Sequence, residues 1–100
     1  MKIELIYDPD CPNVEPTRVE LRKALNTLGM PIEWEEWDRN DSRSPEYARN
    51  FGSPTVLVDG VDVSGEGGTS DENCRRVYAT DIGLSGVPSA DLIQKAIRKA

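Results

Sequence analysis

The stretch Ile3-Glu4-Leu5-Ile6-Tyr7-Asp8-Pro9-Asp10-Cys11-Pro12-Asn13-Val14 decides how this chain folds. Ile3, Leu5 and Tyr7 alternate onto one face and Ile6 falls on the other, which predicts a strand near the centre of a sheet. From Val14 the period changes. Val14, Leu21, Leu25 and Leu28, with Ala24 alongside, recur at helical spacing, and Gly29 supplies a C-terminal cap. Cys11-Pro12-Asn13-Val14 therefore sits at a strand-to-helix junction. A thiol there can be tuned by the helix N-terminus, which favours the thiolate, while Asp8 and Asp10 oppose it. A cysteine at position 14 would complete a Cys-x-x-Cys pair; valine stands there instead.

Outward from that junction, Glu20 and Lys23 form an i,i+3 pair on the exposed side of the helix. Pro16 leaves two starts open. With Asn13 as N-cap, Pro16 falls in the first turn and costs little; with a start at Cys11, it removes one hydrogen bond and bends the helix. Ile32–Asp38 reads as a second strand in which Trp37 is out of phase with Ile32 and Trp34, suggesting a bulge or a strand end. Asp38–Ser44 is loop-like. Ser44-Pro45-Glu46 reads as a cap and first turn of a short helix ending at Gly52.

Ser53-Pro54-Thr55 then opens a third strand, Thr55–Asp59. Asp59-Gly60 makes a hairpin turn into Val61–Val63. The glycine-rich Ser64–Thr69 follows, and Thr69-Ser70-Asp71-Glu72 matches a capping box before a short helix with Cys74, Val77 and Tyr78. Ser89 caps a last helix carrying Leu92, Ile93, Ala96 and Ile97. The order is βαβαββα, an α/β domain over residues 1–100 with a four-stranded mixed sheet flanked by helices, plus one helical turn inserted before the last helix.

Composition narrows the function. One hundred residues fit one domain that buries about two-thirds of its unfolded surface. A net charge of −6 repels phosphate backbones and anionic bilayers, so neither nucleic acid nor membrane is an expected partner. No stretch approaches the ~20 apolar residues of a spanning helix, and Ile3–Tyr7 is too short and too interrupted by acids for a signal peptide. The expected location is a bacterial-type cytoplasm. Two cysteines in a reducing compartment read as reactive or buried thiols rather than a structural staple. The chain has no histidine, which excludes Ser-His-Asp and Cys-His nucleophiles, His-containing zinc sites and an imidazole shuttle.

With a cysteine after strand one and Ser53-Pro54-Thr55 before strand three, the chain resembles the thioredoxin/glutaredoxin superfamily over nearly its whole length. It is most similar to small bacterial thioredoxin-like proteins with Cys-Pro-Asn-Cys, a Gly-Ser-Pro-Thr loop followed by Val-Asp-Gly, and a later Cys-Arg-x-Tyr, often labelled alkylmercury lyase. The corresponding segments are Cys11-Pro12-Asn13-Val14, Gly52-Ser53-Pro54-Thr55, Val58-Asp59-Gly60 and, one residue longer, Cys74-Arg75-Arg76-Val77-Tyr78. The resemblance implies Cys11 as the attacking thiol, a cis Pro54, and a Ser53 backbone that pairs with a thiol-bearing substrate. It also implies that Gly67-Gly68-Thr69-Ser70-Asp71 lies where glutaredoxins bind the γ-glutamyl group of glutathione.

Three readings follow. In the first, Cys11 attacks a disulfide or a glutathione mixed disulfide, and Cys74 or a second glutathione resolves it. Pro12, Ser53, Pro54, Thr55, Gly68 and Asp71 contact the substrate; glutathione is a co-substrate, and no metal or tightly bound cofactor is called for. In the second, the chain is a non-catalytic module that holds a partner protein on its Pro54 surface, a reading that Val14 and the acids near Cys11 fit. In the third, Cys11 and Cys74 hold a soft metal or an organomercurial. Plainer roles compete elsewhere. Cys74 at helical spacing with Val77 and Tyr78 reads as a small core residue, and Tyr7 as packing. Trp34 and Trp37 read as core and edge cover, and Glu33, Glu35, Glu36 and Asp38 as a solvated strand face. Gly65–Gly68 lacks the lysine and serine of a phosphate loop.

Overall fold

The computed structural model describes residues 1–64, 78–80 and 83–100. Its elements are β1 (Ile3–Tyr7), α1 (Val14–Thr27), β2 (Glu35–Asp38), a 3-10 helix (Glu46–Asn50), β3 (Thr55–Val58), β4 (Val61–Asp62), β5 (Tyr78–Thr80), β6 (Gly83–Ser85) and α2 (Ala90–Lys99). Four strands form one mixed sheet in the order β2-β1-β3-β4. β1 runs parallel to β2 with Ile6 opposite Trp37, and antiparallel to β3 with Ile6 opposite Thr55 and Ile3 opposite Val58. The architecture is α/β.

β1 lies at the sheet centre because it is apolar on both faces. Ile3 and Leu5 join Val56 and Val58 of β3 beneath Val14, Leu21, Ala24 and Leu25 of α1 and Ile93 and Ile97 of α2. Ile6 and Leu57 face the other way, onto Ala48 of the 3-10 helix, with Trp37, Tyr47 and Phe51 around them. Leu5, Ile6, Leu21, Leu25 and Ile93 are fully buried. Each such side chain contributes about 1.5–3 kcal/mol by leaving water. Trp37 needs no bulge. It is in register opposite Ile6 and covers the second face, so its phase follows from a sheet covered on both sides.

Asn13 occupies the N-cap position of α1 without a side-chain cap bond, and Pro16 falls in the first turn, the cheaper of the two starts. Thr17, polar by type, is buried because its hydroxyl donates to the Asn13 carbonyl at 2.7 Å. At the other end Gly29 (φ +67°) sits in the left-handed region. Met30 N–H donates to Leu25 O at 2.9 Å and Gly29 N–H to Asn26 O at 3.1 Å, the paired bonds of a Schellman end. Glu20 pairs with Lys23 at 3.1 Å, and Ser89 Oγ caps α2 by accepting Leu92 N–H at 3.2 Å. Asp59 (φ +49°) and Gly60 (φ +83°) form the β3–β4 turn, both in the left-handed region that a tight hairpin turn requires.

Three expectations need correction. The second strand starts at Glu35, not Ile32, which is exposed after the Pro31 break. The second helix is only a 3-10 turn, with Pro45 at its N-cap position. Ser44 Oγ donates instead to Asp38 O at 2.8 Å, closing the β2 exit. Tyr78 opens a strand rather than lying on a helix, and β5 pairs with β6 as a separate two-stranded hairpin where a helical turn was expected. Arg39, in the loop-like stretch, is buried. Its Nε donates to Phe51 O at 3.1 Å and its backbone N–H to Tyr7 O at 2.9 Å, tying the 3-10 segment to the sheet. Among the described residues no helix is long and apolar enough to cross a membrane.

Candidate functional site

Cys11 lies in the turn that carries the chain from β1 to α1. Its backbone N–H donates to Asp8 O at 2.9 Å, and its own carbonyl accepts Val14 N–H at 3.4 Å. Asp10 N–H donates to Asp8 Oδ1 at 3.0 Å, an Asx turn that fixes the approach to the cysteine. Aspartate at 8 thus orders the turn, a role beyond its charge. Cys11 is only 7% exposed and disulfide-bonded rather than a free thiol. Val14 belongs to the same buried cluster, so position 14 is a core position.

The antiparallel β1–β3 register brings the start of β3 to the end of β1, and with it Gly52-Ser53-Pro54-Thr55. All four are buried, and the Ser53–Pro54 peptide bond is cis. Ser53 Oγ accepts the Asp8 N–H at 2.9 Å, joining this loop to the Cys11 turn. Thr55 Oγ1 donates to Gly52 O at 2.7 Å, and the buried Tyr78 hydroxyl donates to Pro54 O. Of the sequence-predicted site residues, Cys11, Ser53, Pro54 and Thr55 therefore meet at one end of the sheet, with Pro12 exposed beside Cys11. Gly68, Asp71 and Cys74 lie outside the described residues, as do the glycine-rich stretch and the capping box. Asn13 packs against Gly86: a Cβ on Gly86 would stand 2.5 Å from Asn13 Nδ2.

A cleft of about 320 Å³ opens beside Cys11, walled by Tyr7, Pro9, Pro12, Val14, Glu15 and Arg18. Arg18 is the cation that the local sequence around Cys11 did not suggest. Its guanidinium lies 5.6 Å from the Tyr7 ring centroid. It grips Glu36 with two bonds, Nε to Oε2 at 2.9 Å and Nη2 to Oε1 at 2.8 Å, and reaches Glu15 at 2.7 Å. Trp34 Nε1 adds a bond to Glu36 Oε2 at 2.9 Å. Glu36 is therefore half-buried and paired, which corrects its reading as part of a solvated face. The Arg18 bonds hold its carboxyl below the ordinary range. Burial pushes the Tyr7 phenol up, with Asp38 and Glu36 adding to the effect. The Glu15–Arg18 spacing was a signal for the helix pair; nothing in the sequence announced that Glu36 would complete it.

A wider cleft, of about 580 Å³, lies elsewhere, between α1 and the β5–β6 hairpin, lined by Pro16, Val19, Thr80, Ser85 and Val87. Among the described residues no group of three or more Cys, Asp or Glu could hold a metal ion. Comparison of the chain with models of protein families, with curated proteins and with solved structures finds no match in any of the three.

Proposed function

We propose that the chain is a thioredoxin-like thiol–disulfide exchange protein that works through Cys11, with Cys74 as its disulfide partner. One observation carries the reading. Cys11 is disulfide-bonded at the turn between β1 and α1, and the sequence holds one other cysteine, Cys74. The four-stranded mixed sheet, with Ser53-Pro54 at the same sheet end as Cys11, supports it.

The exchange balances without a cofactor. A substrate thiolate attacks the disulfide, forms a mixed disulfide with Cys11 and releases the Cys74 thiolate. A second substrate thiolate then displaces Cys11, so two thiols become one disulfide and the protein becomes a dithiol. In the reverse direction Cys11 thiolate opens a substrate disulfide and Cys74 resolves the mixed species. Pro12, which walls the cleft beside Cys11, and Ser53, Pro54 and Thr55 are the substrate contacts this reading proposes, and Gly68 and Asp71 those proposed for glutathione.

Non-reducing peptide mapping, followed by reduction and a disulfide-reductase assay, tests the reading. The expected result is a Cys11–Cys74 linked peptide, reductase activity in the dithiol form, and loss of that activity in Cys11→Ser. Full activity in Cys11→Ser would sink it. The second reading, a non-catalytic module that holds a partner protein, draws on the 7% exposure of Cys11, which limits attack on its sulfur. A disulfide that resists excess dithiothreitol in the folded protein would favour that module.

A further inference from the structure

The sheet face opposite α1 and α2 carries a feature separate from Cys11. Glu4, in the middle of β1, is a carboxylate only 2% exposed. Three groups converge on one of its oxygens, Oε2: the Trp37 indole N–H at 2.8 Å, the Tyr47 hydroxyl, and the Lys2 ammonium at 3.8 Å. Its other oxygen, Oε1, has no partner among the described residues, yet it is not sealed off as an unsatisfied buried atom. Glu4 itself lines a cleft of about 430 Å³ together with Lys2, Tyr47, Phe51, Leu57 and Asp59.

A buried carboxylate is costly unless its charge is compensated. Both close donors here are neutral. Among the described residues the one cation at this carboxylate, Lys2, is 52% exposed and stands at the far limit of an ion pair. Among the described residues that line the cleft, Glu4 and Asp59 stand against Lys2, one more negative charge than positive. Anions are therefore excluded. A metal ion would want several oxygens at short range, and among the described residues no group of three carboxylates or cysteines provides them. The walls are aromatic and aliphatic. Aromatic faces attract organic cations, and Leu57 and Phe51 suit an alkyl chain.

We infer that this cleft binds an alkylammonium group, its nitrogen on Glu4 Oε1 and its carbon chain against Phe51 and Leu57. The group comes either from a free amine or from a lysine side chain on a partner. Lys2 is the internal competitor that holds the rim until a better-placed ammonium arrives.

The test is a titration of the whole chain with n-butylammonium, followed through the Trp37 indole N–H resonance, because that proton is bonded to Glu4. A saturable shift is expected, with the neutral isostere n-butanol binding at least about tenfold more weakly, since a charged hydrogen bond is lost. Glu4→Gln should abolish the preference for the cation. Lys2→Ala, at the half-exposed rim, should tighten binding by about threefold, the scale of a loose surface ion pair. A capped peptide with one lysine between glycines separates the sources: tighter binding than butylammonium assigns the site to a partner's lysine, and equal or weaker binding assigns it to a free amine. Equal shifts with butanol, no saturation with butylammonium, or unchanged affinity in Lys2→Ala would overturn the inference.

Discussion

The Ser53 hydroxyl accepts the backbone N–H of Asp8 at 2.9 Å, with both residues buried. This one bond ties the loop before β3 to the turn that holds Cys11, because the Asp8 carbonyl in turn accepts the Cys11 N–H at 2.9 Å. Ser53→Ala leaves a buried N–H without its acceptor. The expected loss of stability is about 1–3 kcal/mol, the cost of an unsatisfied buried donor. Denaturant unfolding of the disulfide-intact variant measures it, and a loss under half a kcal/mol would mean that water enters to replace the hydroxyl.

Arg18 and Glu36 form the best-made ion pair near the site, two bonds in parallel with a third donor from Trp34. Arg18→Gln should cost about 1 kcal/mol at neutral pH, near the top of the range for a partly exposed pair. The pH dependence has a definite sign. The folded Glu36 carboxyl titrates below its ordinary value of 4.5, so its contribution is fully present above that pH and is lost as pH falls through the folded value. The stability gap between the natural chain and Arg18→Gln should therefore be flat near neutrality and close below pH 4.5. A gap that persists unchanged in acid would assign the effect to Arg18 packing on Tyr7.

What was legible in the sequence follows from periodicity and end signals. Alternation in Ile3–Tyr7, the helical spacing from Val14, Gly29, the Asp59-Gly60 turn and the Ser89 cap each rest on local geometry, and each stands in the structure. The meeting of Cys11 with Ser53-Pro54 was legible too, because it needs only an antiparallel third strand. Residues whose role depends on distant partners were not. Glu4 looks like the polar side of a half-exposed strand, and only the placement of Tyr47 and Trp37 makes it a buried carboxylate. Arg39 looks like loop polarity until the Phe51 carbonyl arrives. Tyr78 has the spacing of a helix residue, yet its hydroxyl is held at Pro54 O from a strand.

Gly29 offers a clean test of a single backbone conformation. Its φ of +67° ends α1, and an added Cβ would meet nothing within 4 Å. Gly29→Ala should therefore lose only the conformational preference, about 1–2 kcal/mol, with no packing change. Asn, which tolerates this region better, should recover part of that loss. Chemical denaturation of the two variants side by side measures it; equal stabilities for alanine and asparagine would count against the Schellman assignment.

Tyr47 supplies a titration that reports on the second sheet face. Its hydrogen bond to the Glu4 carboxylate, helped by burial, pushes the phenol pKa up from 10.0 to about 12. Ionised tyrosine would lose that bond and face the Glu4 charge directly. Because the folded value lies above the unfolded one, the stabilisation is complete below pH 10 and is lost as pH rises through about 12. Glu4→Gln removes the charge while keeping an acceptor in the same place, so the Tyr47 titration should return toward 10.0. Tyrosinate absorbance, with Tyr47→Phe identifying the residue, reads this directly. The comparison also separates two sources of the shift: if Tyr47 stays near 12 in Glu4→Gln, burial rather than the carboxylate holds it there.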